Sequence, residues 1–161
     1  MPPPRFDRAE PCAGNAWQAA QAALILDSHA RLFGRALLAE TGAAPGRALY
    51  EASGVVLAHD TAADPVFFFA NRAAQRLFGM SWAEMVRLPS RHSAEPLARA
   101  ERQRLLERVA RDGCIDDYRG VRVAKDGRRF RIERAAVWNL IDAAGRVVGQ
   151  AAAFDAWTPL P

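Results

Sequence analysis

The side chains best suited to chemistry in this sequence are three histidines, two cysteines and scattered carboxylates. His59 and Asp60 are neighbours at an expected strand end, so their side chains point to opposite faces and do not form a charge-relay pair. The glutamates show no spacing that would pair two carboxylates for acid–base catalysis. Serine-hydrolase, zinc-protease, phosphate-loop and dinucleotide-binding motifs are all missing from the sequence. The sequence therefore predicts a protein that is not an enzyme.

Composition limits the other function classes. Cys12 and Cys114 are too few for a disulfide framework or a tetrahedral zinc site. Residues 1–8 contain no apolar stretch typical of a secretory signal, and the longest apolar runs are far below the ~20 residues of a membrane span. A net charge of +4, spread along 161 residues, does not favour direct nucleic-acid binding. We therefore expect a cytoplasmic protein with free thiols and no membrane contact.

The N-terminal part divides into two segments. Residues 1–14 are polar and rich in proline, and they are expected to form a flexible arm. Apolar residues then recur at helical spacing, which predicts a helix over residues 15–42 that ends at Gly42.

The rest of the chain alternates short strands and helices. Asn71 and Ser81 each stand where a helix cap is needed, and Asp126-Gly127 is a strong hairpin signal. The resulting order is two strands, short helices, one longer helix and three strands. Clustered strands of this kind predict an α+β fold with an antiparallel sheet. The arginines and glutamates of residues 99–111 interleave as they do on a solvated helix face.

Two groups of residues resemble the PAS domain pattern. The first comprises Phe68-Phe-Ala-Asn71, Leu77-Phe-Gly79 and Trp82-Ala-Glu84, and the second extends from Lys125-Asp-Gly-Arg-Arg-Phe130 to Asp155. The resemblance covers residues 49–157. It implies a PAS-like five-stranded antiparallel sheet with short helices on one face and an extra N-terminal helix.

A narrower resemblance is to bacterial MEKHLA-domain proteins. It is carried by Val56-Val-Leu-Ala-His-Asp60, Leu88-Pro-Ser-Arg91, Ser93-Ala-Glu-Pro96 and Val137-Trp-Asn-Leu140. This resemblance implies a sensory, ligand-binding module whose output passes through protein contact. The alternative is a dimerisation or interaction module with no small-molecule ligand. PAS relatives commonly dimerise through an N-terminal helix, which implies a homodimer through residues 15–42.

PAS relatives sense through a cavity between the sheet and its helices, so the resemblance implies a small-molecule ligand here. Leu88 and twelve further residues are candidates for the cavity wall. The twelve are Val56, Phe67, Phe69, Leu77, Phe78, Leu106, Tyr118, Phe130, Arg134, Trp138, Gln150 and Phe154. The alternative is that these apolar side chains simply fill the core.

Arg134 is the unusual member of this set. Strict alternation places Phe130, Arg134 and Trp138 on one face of a long strand. An inward-facing arginine requires an acidic partner or an anionic ligand, because burying an unpaired charge is costly. A β-bulge would instead turn Arg134 outward. Both interpretations stay open on the sequence alone.

The resemblance also bears on cofactors, although the cofactor itself is unknown. Light-sensing relatives that form a flavin–cysteine adduct carry Asn-Cys-Arg-Phe, where this chain has Pro89-Ser-Arg-His-Ser93. They also carry a glutamine where this chain has Ala153. Haem-binding relatives use a histidine on the long helix, and residues 94–112 contain none. Both a covalent flavin adduct and haem held by a helix histidine are therefore disfavoured.

Overall fold

The computed structural model describes residues 4–95 and 99–161. Its helices are α1 Ala19–Phe33, α2 Pro45–Glu51, α3 Arg72–Phe78, α4 Trp82–Met85 and α5 Arg99–Asp112. Its strands are β1 Val55–His59, β2 Phe67–Ala70, β3 Cys114–Val123, β4 Arg129–Ile141, β5 Val147–Phe154 and β6 Trp157–Pro159. Short 3-10 helices span Ala13–Gln18 and Ser90–Ser93.

The strands form one antiparallel sheet in the order β2-β1-β5-β4-β3, and β6 pairs with the first part of β4. This arrangement confirms the α+β class, the antiparallel sheet and the short helices between the two groups of strands. Local signals act as expected at α3, where the Asn71 side chain accepts a hydrogen bond from the Ala74 amide at 3.1 Å. Ser81 caps α4 through the Glu84 amide at 3.2 Å.

The sheet buries apolar side chains on both faces. On one face, here called the cavity side, Leu57, Phe67, Phe130 and Phe154 pack with Phe78 of α3. On the opposite face, here called the α1 side, the apolar cluster contains Val56, Phe68, Phe69, Trp138 and Leu140, together with Ala22 and Ile25 of α1. The N-terminal helix therefore covers its own sheet.

Two β-bulges break the pairing of β3 with β4. Gly120 pairs with Ile132 and Tyr118 with Ala135, which leaves one extra residue on β4 at this point. A second irregularity, between Ile115 and Tyr118, adds a residue on β3. The bulge on β4 reverses the alternation of its side chains. It turns Arg134 outward, as one of the two interpretations predicts.

The prediction that Phe130, Arg134 and Trp138 share one face is therefore wrong. Phe130 lies on the cavity side, whereas Trp138 lies on the α1 side and donates its indole N–H to the Ile25 carbonyl at 3.2 Å. The Arg134 side chain is three-quarters exposed, and its guanidinium lies 3.8 Å from the Asp116 carboxylate.

The N-terminal segment differs from its expected form in two places. Helix α1 ends at Phe33, because Gly34 adopts a left-handed φ of 70° and its amide closes onto the Ala30 carbonyl. The segment expected to be a flexible arm contacts the domain from residue 6 onward. The Phe6 ring stacks on Phe68 with 3.7 Å between centroids, and the Arg8 guanidinium lies 2.8 Å from the Asp60 carboxylate.

Candidate functional site

A cavity of about 60 Å³ lies between the cavity side of the sheet and the helices that cover it. Most of its wall is apolar and includes Leu57, Phe67, Leu105, Val137 and Ala152. Pockets for drug-sized ligands are larger, about 300–1,000 Å³. In this conformation the cavity therefore suits a small molecule or a few waters.

Six of the twelve predicted wall residues line this cavity: Phe67, Phe78, Leu106, Tyr118, Gln150 and Phe154. Leu77, Leu88 and Phe130 pack in the apolar cluster beside it. Val56, Phe69 and Trp138 belong to the cluster on the α1 side, so their predicted placement in the wall is wrong. Arg134 is at the surface. The bulge on β4 explains the misplacement of Arg134 and Trp138. A further bulge places one extra residue on β2, because Ala58 pairs with Phe69 and His59 with Phe67, and it explains the misplacement of Phe69.

Two arginines that were not among the predicted wall residues point into the cavity. Arg102 of α5 and Arg122 of β3 are each only 8% exposed. Arg102 donates a hydrogen bond to the Ser90 hydroxyl, and the Arg122 guanidinium lies over the Tyr118 ring, 5.3 Å from its centroid. The Nη1 atom of Arg122 is buried without a hydrogen-bond partner. Arg102 thus departs from the solvated helix face that the sequence predicted.

Both guanidinium groups are desolvated without a carboxylate beside them. Among the described residues that line the cavity there is no Asp or Glu. Burial, followed by the nearby charge of Arg122, lowers the pKa of Arg102 to about 10. Burial also lowers the pKa of Arg122. At a pKa of about 10 Arg102 remains protonated at neutral pH, so the cavity has a positive wall.

The Tyr118 ring reaches the Arg122 guanidinium because residue 120 is glycine. A Cβ atom at Gly120 would stand 2.6 Å from Tyr118 Cζ, so any larger residue would displace the ring. The Tyr118 ring lies along β3 towards Arg122 and forms part of the cavity wall. Gly120 therefore shapes the site, although it contributes no side chain to it.

Hydrogen-bond acceptors occupy another part of the wall. His59 and Gln150 pair across β1 and β5, and burial lowers the pKa of His59 to about 4. Neutral His59 donates from Nδ1 to the Asp60 carbonyl at 2.8 Å, which assigns Nε2 as an acceptor. Gln150 donates to Asn139, and its Oε1 is buried without a partner. The site thus combines one unpaired donor, Arg122 Nη1, with one unpaired acceptor, Gln150 Oε1.

Lowering the pH from 6.5 towards 4 is expected to destabilise the folded protein through His59. The unfolded chain binds a proton at this residue in that interval and the folded chain does not, so stability falls as pH falls. The expected contribution is roughly 2–3 kcal/mol, measured by urea denaturation across the interval. His29 acts in the same direction, because burial also lowers its pKa. We expect His59→Gln to flatten the pH dependence in part and His92→Gln, at an exposed residue, to leave it unchanged.

The residues of this cavity do not fit flavin-adduct chemistry. Neither cysteine lines it, because Cys12 is exposed and the Cys114 thiol contacts the Leu32 carbonyl on the α1 side. A cavity of about 60 Å³ is also too small for a flavin ring system. In the described parts of the chain, no three His, Cys, Asp or Glu side chains are grouped as metal ligands. No helix within residues 4–95 and 99–161 has the length and apolar character to cross a membrane.

Known proteins match the chain at two levels. The sequence model of the MEKHLA domain matches residues 19–159. Curated proteins give no match. Among solved structures, the chain is similar to the PAS domain of a protein from Colwellia psychrerythraea, with a TM-score of 0.60 and 14% identity over 71% of this chain and 92% of that one.

Two light-oxygen-voltage proteins are similar as well. One is a domain studied with a flavin analogue, with a TM-score of 0.55 and 17% identity over 75% of this chain and 87% of that one. The other is an RNA-binding light-oxygen-voltage receptor, with a TM-score of 0.58 and 25% identity over 74% of this chain and 35% of that one.

The family match begins at the first residue of α1 and extends through β6. It therefore includes the N-terminal helix, the sheet and the cavity. The structural similarities agree with it, since they show the same arrangement of sheet and covering helices. The chain belongs to the MEKHLA domain family and has the fold of PAS and light-oxygen-voltage sensory domains.

Proposed function

We propose that this protein is a sensory module that binds a small molecule in the cavity and signals by contact with another protein. The observation that carries the proposal is the pair of unpartnered polar atoms in the cavity wall, Arg122 Nη1 and Gln150 Oε1. Buried polar groups in a core that serves packing alone are nearly always hydrogen-bonded. A ligand that supplied the missing hydrogen-bond partners would explain why both atoms are buried without a partner in the protein.

A route for the signal follows from the alternation of β4. Val137 lines the cavity, and the next residue, Trp138, contacts α1 on the opposite face. A shift of β4 that follows ligand entry would reach α1, which packs directly on the sheet. We place this output at the surface of α1 and the segment before it, in a cytoplasmic protein.

The proposal contains no catalytic step. His59 is the one histidine among the described cavity residues, and the nearest carboxylate in sequence, Asp60, binds Arg8 at 2.8 Å instead. His59 thus has no acidic partner to orient it as a general base.

Dimerisation through the N-terminal helix is the alternative from the sequence. In the structure, the apolar residues of that helix pack on its own sheet, with Ile25 fully buried and Leu24, Leu32 and Phe33 partly buried. The exposed residues of α1 are alanines together with Asp27 and Arg31. We therefore do not retain the interaction module as a second candidate.

Filling the cavity is expected to abolish small-molecule binding while the fold is retained. Ala152 lies on β5 in the cavity wall, so Ala152→Leu places three more carbon atoms in a space of about 60 Å³. The probes are hexanoate and hexanol, and binding is read from shifts in amide NMR spectra. We expect wild-type shifts concentrated around the cavity and none in Ala152→Leu.

The matched control is Ala153→Leu, which alters the neighbouring residue on the α1 side of the same strand. It should bind the probes as the wild type does. If neither probe shifts the wild-type spectrum, or if Ala152→Leu binds as well as Ala153→Leu, the cavity is not a ligand site.

A further inference from the structure

We infer that the ligand is an organic acid, whose carboxylate is held by Arg102 and Arg122 while a short hydrocarbon body lies against the apolar wall. The inference rests on the proposed function and specifies its ligand class. It starts from two guanidinium groups that line the same small cavity.

Burying these two charges in the cavity is costly. Arg102 and Arg122 are each 8% exposed, and a buried charge normally has a partner of opposite sign. Asp64 is the carboxylate whose charge acts favourably on Arg102, but Asp64 is exposed and bound by Arg91 at 3.0 Å. The two arginines also repel each other. A bound anion would relieve both the desolvation and the repulsion.

The hydrogen bonding of the two guanidinium groups is incomplete. Tyr118 favours the Arg122 charge through its ring face and a side-chain hydrogen bond, but Arg122 Nη1 still has no hydrogen-bond partner. A planar guanidinium presents its N–H groups in a fork that matches the two oxygens of a carboxylate. Arg102 already donates to Ser90 and retains further N–H groups for the same anion.

The rest of the cavity wall favours the hydrocarbon part of an organic acid. Leu57, Phe67, Leu105 and Ala152 give the cavity a mostly apolar lining. Inorganic phosphate or sulfate would place polar oxygens against these side chains, whereas the tail of an organic acid would bury apolar surface there. The cavity volume of about 60 Å³ limits that tail to a short chain in the present conformation.

The test compares carboxylates with neutral molecules of the same length. Acetate, butyrate, hexanoate and octanoate are titrated calorimetrically into the full-length protein beside ethanol, butanol, hexanol and octanol. We expect the best carboxylate to bind about tenfold or more tightly than its matched alcohol, the factor expected for a hydrogen bond to a charged group. The same carboxylate should raise the melting temperature.

Four arginine variants test which guanidinium groups cause the preference for carboxylates over alcohols. Arg122→Met and Arg102→Met are expected to abolish the preference for carboxylate over alcohol. Arg119→Met on β3 and Arg104→Met on α5 alter exposed residues of the same elements and should leave it unchanged. Without ligand, Arg122→Met should melt at a higher temperature than the wild type, because an unpaired buried charge has been removed. A purely structural role for Arg122 predicts a lower melting temperature.

The outcomes distinguish an error in the ligand class from an error in the proposed sensory function. If alcohols bind as tightly as carboxylates, the cavity is a ligand site but the assignment of an organic acid is overturned. Protection by phosphate or sulfate equal to that by the best carboxylate also overturns it. If no carboxylate or alcohol binds, both the inference and the proposed function fail. If Arg122→Met does not fold, Arg122→Lys, which keeps the charge and loses the fork, must still weaken carboxylate binding.

Discussion

Trp138→Ala is expected to lower the free energy of unfolding by about 3–5 kcal/mol. Trp138 is completely buried beneath α1, where its indole N–H donates to the Ile25 carbonyl and its ring packs edge-on against His29 and Phe33. The truncation leaves a void between the sheet and α1 and removes the hydrogen bond. Urea denaturation followed by circular dichroism measures the loss.

The control is Trp157→Ala on β6. Trp157 is 37% exposed and contacts the edge of Phe154, so its removal should cost only about 1–2 kcal/mol, less than that of Trp138. Trp138 lies outside the cavity, so the folded fraction of Trp138→Ala should still bind the hexanoate probe. Equal destabilisation by the two tryptophan variants would contradict the packing of α1 on the sheet.

The elements of the fold follow well from local sequence signals. Asn71 and Ser81 cap α3 and α4, and Gly127 takes the positive φ that the Asp126-Gly127 turn requires. The short strand β6 does not follow from these signals. The sequence predicts one strand over residues 146–157, but the structure interrupts it before Trp157, so β6 pairs with Ile132 instead of continuing along β5.

The composition of the site was only partly predictable. Alternation assigns faces correctly until a bulge intervenes, and neither the bulge on β4 nor that on β3 has a glycine or proline signal at its extra residue. Alternation along β4 therefore assigns the residues of this strand beyond Ile132 to the wrong face of the sheet. Of the two interpretations left open for Arg134, the structure agrees with the bulge that turns it outward, and the buried arginine of the neighbouring strand is Arg122.

Arg102 shows a signal that was present in the sequence. Arg102, Leu105 and Val109 follow the helical spacing of three and four residues, and all three are buried on α5. The sequence nevertheless predicts that Arg102 is solvated, because the interleaved charges of residues 99–111 are typical of a solvated helix face. Leu97, which the sequence assigns to the same stripe, lies outside the described residues.

The second large effect is expected for Asn71→Leu, which should lower the free energy of unfolding by about 3–5 kcal/mol. The fully buried Asn71 side chain makes four hydrogen bonds. Its Oδ1 accepts from the Val56 and Ala74 amides, and its Nδ2 donates to the Leu49 and Gly54 carbonyls. Leucine has a similar volume but removes all four hydrogen bonds. The Leu49 carbonyl keeps the Ala52 amide as a donor, whereas each of the other groups that stays buried without a partner costs about 1–3 kcal/mol.

A matched variant separates the loss of this network from the loss of a helix cap. Ser81→Ala removes the exposed cap of α4 and should cost about 1 kcal/mol. Asn71→Leu should cost several times more in the same urea denaturation, because Asn71 also joins β1 to α2 and to the turn before β1. A cost for Asn71→Leu no greater than that for Ser81→Ala would show that Asn71 serves as a cap alone.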